Sequence, residues 1–298
     1  MSNQSANAEK TAQQAYDDWR RGVRWTLGCL AAFLFVALIG WDRVEVATHG
    51  CSGVVTVWVW CAPLALTLLG CFMAMAFLAM LKNGIRKVLD GDCDAQKMLE
   101  VAAICLDRTH LPASRRRSKC LYAVCSHELG YNDVAFQWAN EVICDAGASL
   151  SQRLSALSVI GAVYGAAGKA EELRRVRDDA AACVARSRVR GQALESRQNI
   201  VRAMDARLAQ LTGDANAWRT HLERESMGAS QQRMRVHATF QLAIQYERDA
   251  REARATGDEA RARELEAIAG EKYARVARFG GTLACARQAQ AWLDARQA

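Results

Sequence analysis

Proline is scarce in this chain, with only Pro63 and Pro112 among 298 residues. Because proline interrupts helices and stiffens extended linkers, its scarcity excludes proline-rich linkers and allows long helices. Alanine, arginine, glutamate, glutamine and leucine, which all favour helices, dominate the sequence after residue 90. We therefore expect an all-α fold.

Recognisable catalytic and cofactor-binding motifs are also missing. The chain has no G-x-S-x-G and no G-x-G-x-x-G sequence, which are the signatures of α/β-hydrolases and dinucleotide-binding domains. The segment that starts at His127 begins like the zinc-protease motif HExxH, but Tyr131 stands where the second histidine ligand is required. We therefore expect a protein that is not an enzyme and that binds neither a metal nor a cofactor.

Charge is absent from two long apolar stretches, residues 25–41 and 54–81. About 20 apolar residues in a helix suffice to cross the hydrocarbon core of a bilayer. We predict membrane spans at about 23–41 and 54–81, joined by a short loop. The alternatives are a buried helix of a soluble core and, for the first stretch, a signal peptide.

Tryptophan side chains favour the membrane interpretation, because indole prefers the boundary between headgroups and acyl chains. Five of the eight tryptophans lie at or near the edges of the two stretches: Trp19, Trp25, Trp41, Trp58 and Trp60.

Basic residues flank the two stretches and predict their orientation. They stand before the first stretch and after the second: Arg20, Arg21, Arg24, Lys82, Arg86 and Lys87. The connecting loop has only Arg43. Because basic flanks stay on the cytoplasmic side, we predict an integral protein of a bacterial inner (plasma) membrane with both termini in the cytoplasm.

These features divide the chain into three parts. Residues 1–22 are predicted to form a flexible polar and basic segment, residues 23–91 a transmembrane hairpin, and residues 92–298 a cytoplasmic helical-repeat domain. The net charge is +7, and the whole basic excess lies after residue 81. The eleven cysteines are scattered among apolar positions, which indicates reduced thiols in the cytosol rather than a disulfide framework.

Apolar residues at three- and four-residue spacing predict ten helices after residue 90. The predicted ranges are 94–107, 114–129, 132–146, 151–167, 169–188, 191–212, 214–226, 231–256, 258–279 and 282–296. The helix at 258–279 illustrates the pattern with an apolar stripe of Ala262, Leu265, Ala269, Tyr273 and Val276.

Four similar turns recur between these helices, at Gly130, Gly168, Gly213 and Gly257, which are 38, 45 and 44 residues apart. Helix–turn–helix units that repeat at this period are typical of α-solenoids.

The unit around Gly168 resembles a tetratricopeptide (TPR) repeat. The residues at the family's positions are Leu157, Gly161, Tyr164, Gly168 and Ala180. The resemblance covers residues 114–279 and implies antiparallel helix pairs that stack into an α-solenoid behind the two spans. The period exceeds the family's usual 34 or so residues, so an unrelated helical bundle is the alternative.

The resemblance also implies an inner groove for a protein segment, lined by the first helix of each pair. At the groove positions we single out His127, Arg207, Arg251 and Arg254 as a basic surface for an acidic partner. The densest basic cluster is Arg115, Arg116, Arg117 and Lys119, and we assign it to lipid headgroups or an acidic partner. Aromatic residues are not interleaved with these bases, so nucleic acid is not an expected partner.

Together these observations predict a membrane-anchored helical-repeat scaffold or adaptor that binds a protein partner at the cytoplasmic membrane face. The alternative is an oligomeric two-span membrane subunit, channel-like or sensor-like, whose helical domain regulates it. Whether the chain forms a homo-oligomer stays open.

Overall fold

The computed structural model describes residues 9–48 and 53–297, and the side chains of residues 40–63, 66 and 82 lie outside that description. Within it the regular secondary structure is entirely α-helical, as predicted. The helices are α1 (Ala12–Thr48), α2 (Gly53–Asp90), α3 (Ala95–Arg108), α4 (Pro112–Glu128), α5 (Asn132–Cys144), α6 (Leu150–Ala166), α7 (Ala170–Ala185), α8 (Gln192–Leu211), α9 (Ala215–Gly228), α10 (Gln232–Ala255), α11 (Glu259–Phe279) and α12 (Ala284–Gln297).

The helices belong to two units, which we call the N-terminal unit (Glu9–Lys87) and the C-terminal unit (Val88–Ala298). The C-terminal unit begins a few residues before the predicted boundary at residue 92, because Val88 and Leu89 at the end of α2 are buried in its core. Helix α1 already begins at Ala12, inside the segment that we expected to be flexible. Our predictions for residues 1–8 and for the loop residues 49–52 lie outside the described residues.

Helices α1 and α2 touch at two glycines. Gly22 faces the side chain of Leu81, and Gly70 faces the ring of Phe33. From Gly22 to Phe33 the chain advances eleven residues along α1, while the facing positions on α2 go back eleven residues, from Leu81 to Gly70. The two helices are therefore antiparallel where they meet.

Both helices of the N-terminal unit are long and apolar enough to cross a membrane, over Ala12–Ile39 and Thr67–Asp90, by length and composition. In the most apolar 18-residue stretch of each helix, only 6% of the stretch is buried inside the protein. Large apolar side chains therefore point outward along both helices, among them Trp25, Phe35, Leu38, Phe72 and Met75.

The C-terminal unit contains the ten predicted helices, and each boundary lies within three residues of its predicted position. All five residues of the predicted stripe on α11 are buried. After α2 ends at Asp90, Asp94 caps α3 by accepting a hydrogen bond from the backbone N–H of Lys97 at 3.0 Å. Apolar stripes are local signals, which explains why the sequence alone predicted these helices.

The four predicted turns share one geometry. Each glycine has a positive φ, between 71° at Gly168 and 108° at Gly213. The residue after each glycine donates its backbone N–H to a carbonyl five residues back, as Lys169 does to Tyr164 at 3.0 Å. Such a bond satisfies a free carbonyl at the helix end and directs the chain into the next helix. The repeat visible in the sequence is therefore a repeat of helix-ending turns.

Consecutive helices pack against each other from α3 to α12, and α4 also packs on α6, and α6 on α8. The last helices then return to the first. Arg287 of α12 donates to the carbonyl of Leu129 at 2.8 Å, and the N–H of Thr282 donates to the carbonyl of Cys93 at 3.1 Å. The C-terminal unit is thus closed on itself by contacts between residues more than 150 positions apart.

Candidate functional site

A buried cluster of charged side chains lies where the C-terminal unit closes. We call it the Glu128 cluster, and it consists of Asp90, Glu128, Arg233 and His237. Asp90 ends α2, Glu128 ends α4, and Arg233 and His237 lie one turn apart on α10. The side chain of Glu128 is 4% exposed, so its charge needs partners inside the protein.

Both oxygens of Glu128 have such partners. Oε1 accepts a hydrogen bond from Nη1 of Arg233, and Oε2 is hydrogen-bonded to Nε2 of His237. The Nε of Arg233 also donates to Oδ1 of Asp90 at 3.2 Å. The guanidinium of Arg233 on α10 therefore joins the ends of α2 and α4, and both ends are more than 100 positions away from it in the sequence.

The charges in the cluster stabilise each other. Burial alone would raise the pKa of Glu128, but the charges of His237 and Arg233, with the hydrogen bond from His237, hold it well below its usual value. Burial acts to lower the pKa of Arg233, and the carboxylates of Glu128 and Asp90 more than offset this, so that pKa is raised. Glu128 and Arg233 therefore remain charged at neutral pH.

Three buried cysteines lie close to this cluster: Cys93, Cys125 and Cys285. Burial raises the pKa of Cys93 to about 12 and that of Cys285 to about 12, with Glu128 adding to both shifts. A thiol that is protonated and buried is a poor nucleophile and a poor metal ligand. These cysteines behave as small apolar residues, as the sequence predicted for most of the chain's cysteines.

The four residues assigned to the partner groove lie on three helices, α4, α8 and α10. His127 on α4 is hydrogen-bonded through Nδ1 to Oδ1 of Asn132 at 2.9 Å, and burial lowers its pKa. Its ring therefore interacts with the turn between α4 and α5.

Arg207 on α8 is used in packing between helices. Its Nη2 and Nε donate to the carbonyl of Gly165 at 2.8 and 3.2 Å, and its guanidinium lies 5.3 Å from the centre of the Trp218 ring. Burial lowers its pKa. The guanidinium links α6, α8 and α9, a role that the groove position did not anticipate.

Arg251 and Arg254 lie on one exposed part of α10 and are both ion-paired. Arg251 is 69% exposed and lies 3.2 Å from Glu247. Arg254 lies 3.1 Å from Glu266 and 3.6 Å from Glu259. Exposed pairs of this kind are weak and exchange partners readily, so both arginines remain accessible to an acidic segment.

The four basic residues at the start of α4 fall into two pairs with different surroundings. Arg116 is paired with Asp145 at 3.3 Å, and Lys119 is paired with Glu141 at 2.7 Å, so both connect α4 to the end of α5. Arg115 and Arg117 are exposed, and no ion pair is recorded for either among the described residues. Only these two arginines of the cluster present unpaired charge at the surface.

The Glu128 cluster was not found by sequence reasoning. Glu128 was noticed only as part of the incomplete zinc motif, and Asp90 was not singled out. The one local signal is the four-residue spacing of Arg233 and His237 on one face of α10, and such a pair is common on exposed helices. Nothing in the sequence indicates that its partners lie more than 100 residues away.

Comparisons with protein-family models, with curated proteins and with solved structures find no match to this chain.

Proposed function

We propose that this protein is a membrane-anchored helical scaffold. Helices α1 and α2 hold the chain in the bilayer as a hairpin, and the C-terminal unit binds an acidic segment of a protein partner at the cytoplasmic face of a bacterial inner membrane. The helix pairs of that unit act as a TPR-like repeat domain, and the protein catalyses no reaction.

The observation that supports the anchor is the outward exposure of apolar side chains along α1 and α2. A helix in the core of a soluble protein buries most of its apolar surface, and water penalises exposed apolar area by about 25 cal/mol per Å². Acyl chains remove that penalty. The antiparallel contact of α1 and α2 also brings Arg20 and Arg24 to the same end of the pair as Arg86, in keeping with one cytoplasmic side.

The scaffold role is supported by how the C-terminal unit uses its charges. The Glu128 cluster satisfies its own charges and joins the ends of α2 and α4 to α10. The exposed arginines on α4 and α10 are left for contacts with another molecule. A unit closed in this way presents a fixed surface, which lowers the entropic cost of binding a partner.

Alkaline carbonate extraction of membranes from expressing cells tests the anchor. The full chain is expected to stay in the membrane pellet, and release into the supernatant would contradict the proposal. A photo-crosslinking residue at Arg115, Arg117 or Arg251 then tests the scaffold. The expected result is a discrete adduct with a different protein. The adduct formed from position 115 should be lost in the R117E variant, and the adduct formed from position 251 should be lost in the R254E variant.

The oligomeric two-span subunit is the competing proposal, and the same experiment separates the two. Adducts between copies of this chain, together with a defined oligomer in mild detergent, would favour the subunit. A monomer in detergent would exclude it.

A further inference from the structure

A shallow, open cleft of about 450 Å³ lies along one face of α1, in the N-terminal unit, and all its lining residues come from this helix. It is lined by Asp17, Arg20, Arg21, Arg24 and Trp25. Three guanidinium groups against one carboxylate make the cleft positively charged. Arginine guanidinium groups bind the oxygens of phosphate esters through paired hydrogen bonds, so the lining suits a phosphate group.

Two of the three arginines form no ion pair with any residue that the structure describes. Arg21 lies 4.0 Å from Asp18, which Lys10 also contacts at 2.7 Å. For Arg20 and Arg24 no ion pair is recorded among the described residues. They are four residues apart on one helix, where like charges repel each other. An anion between them would relieve that repulsion.

The cleft lies where the polar start of α1 meets its apolar part. Trp25 is 70% exposed, and uncharged residues follow it to the end of the candidate span at Ile39. Because Gly22 faces Leu81, the exposed Arg86 and Lys87 of α2 lie toward the same end of the helix pair. In a membrane this is the level of the lipid phosphates, where indole rings also prefer to lie.

We propose that the cleft binds the headgroup phosphate of an anionic phospholipid through Arg20 and Arg24, while Trp25 packs against the start of the acyl chains. This inference depends on the proposed membrane anchor. The apolar surface directly beside the cleft favours a lipid over a free phosphate ion, because a free ion gains nothing from Trp25 or from the uncharged helix surface beyond it.

Native mass spectrometry of the full chain tests the site. The protein is first shown to resist carbonate extraction and is then released from nanodiscs made of phosphatidylglycerol and phosphatidylcholine. The wild-type chain is expected to retain phosphatidylglycerol in preference to phosphatidylcholine. In the R20Q/R24Q variant this retention should fall on the order of tenfold or more, since glutamine cannot make the charged, paired hydrogen bonds that a guanidinium makes to a phosphate.

The matched control is the R86Q/K87Q variant, which removes the same charge at the same end of the helix pair but outside the cleft. It is expected to retain the lipid as the wild type does. An equal loss in both variants would mean general attraction to anionic lipid and would overturn the site. Displacement of the lipid by millimolar inorganic phosphate would overturn the choice of a lipid ligand.

Failure of the anchor gives a different result from failure of the site. A chain released by carbonate contradicts the proposed function. A chain that stays in the membrane and binds both lipids equally contradicts only this inference.

Discussion

The two units of the molecule place the same kinds of residue in opposite ways. In the N-terminal unit, leucine, phenylalanine and methionine side chains point outward and little apolar surface is buried. In the C-terminal unit, leucine, valine and alanine form a buried core, and the surface is rich in arginine and glutamate. Since apolar side chains avoid water, this difference is what the proposed membrane anchor predicts, with lipid around one unit and water around the other.

The units also treat charge differently. The sequence has three arginines, Arg20, Arg21 and Arg24, before the uncharged stretch of α1 and one, Arg43, after it, whereas the C-terminal unit buries a set of paired charges in the Glu128 cluster. A buried ion pair adds little net stability compared with apolar residues, but removing one partner is costly. We therefore interpret the cluster as a feature that specifies how α2, α4 and α10 meet.

Removing the N-terminal unit should cause the largest change, the loss of membrane association. A chain that starts at Val88 is expected to move from the membrane fraction to the soluble fraction and to keep its helical circular dichroism, because its apolar residues are already buried. The full chain in the same fractionation is the control. If the shortened chain stays in the membrane fraction, membrane association does not depend on the N-terminal unit, and the proposed difference between the two units is wrong.

Changing Glu128 to glutamine should have the next largest effect. It leaves Arg233 buried with a weaker partner, which is expected to lower the free energy of unfolding by about 3–5 kcal/mol. Chemical denaturation of the chain that starts at Val88 measures this. The control is Glu252→Gln in an exposed pair with Arg248, where the change should stay below about 0.5 kcal/mol. Similar losses in both variants would show that the cluster has no special role.

The Glu128 cluster also predicts a pH dependence. The pKa of Glu128 is held below its usual value of 4.5 in the folded state. Its contribution is therefore fully present above about pH 5 and is lost as the pH falls through the lowered folded pKa. The free energy of unfolding of the C-terminal unit should decrease as the pH falls below about 5. The decrease should be smaller in the Glu128→Gln variant. Parallel curves for the two proteins would contradict this assignment.

Substitution at a repeated turn should have the smallest effect. Gly168 has a φ of +71° with open space around it, so Gly168→Ala should cost about 1–2 kcal/mol of backbone strain without a steric clash. Gly228 also has open space but no positive φ, and Gly228→Ala should be neutral or slightly stabilising. Thermal unfolding of both variants compares them. Equal effects would mean that the turn geometry does not matter.

What the sequence predicted and what it missed follow from distance along the chain. The helices, the turn at Gly168 and the buried stripe on α11 depend on residues within one or two turns of each other, and all were predicted. The Glu128 cluster connects Glu128 to Arg233 across 105 positions, and a single sequence contains no pattern for such pairs. The packing contact of Arg207 was missed in the same way, because its partner Gly165 lies 42 positions away.

Thiol labelling in intact cells tests the central claim most directly. Cys144 is an exposed cysteine of the C-terminal unit, and a reporter cysteine can be added within residues 44–50 of a chain that lacks Cys51. With a membrane-impermeant maleimide, the reporter should react in intact cells, and Cys144 should react only after the membrane is opened. That result places the C-terminal unit in the cytoplasm. Labelling of Cys144 in intact cells would put the unit outside and contradict the membrane-anchored cytoplasmic scaffold.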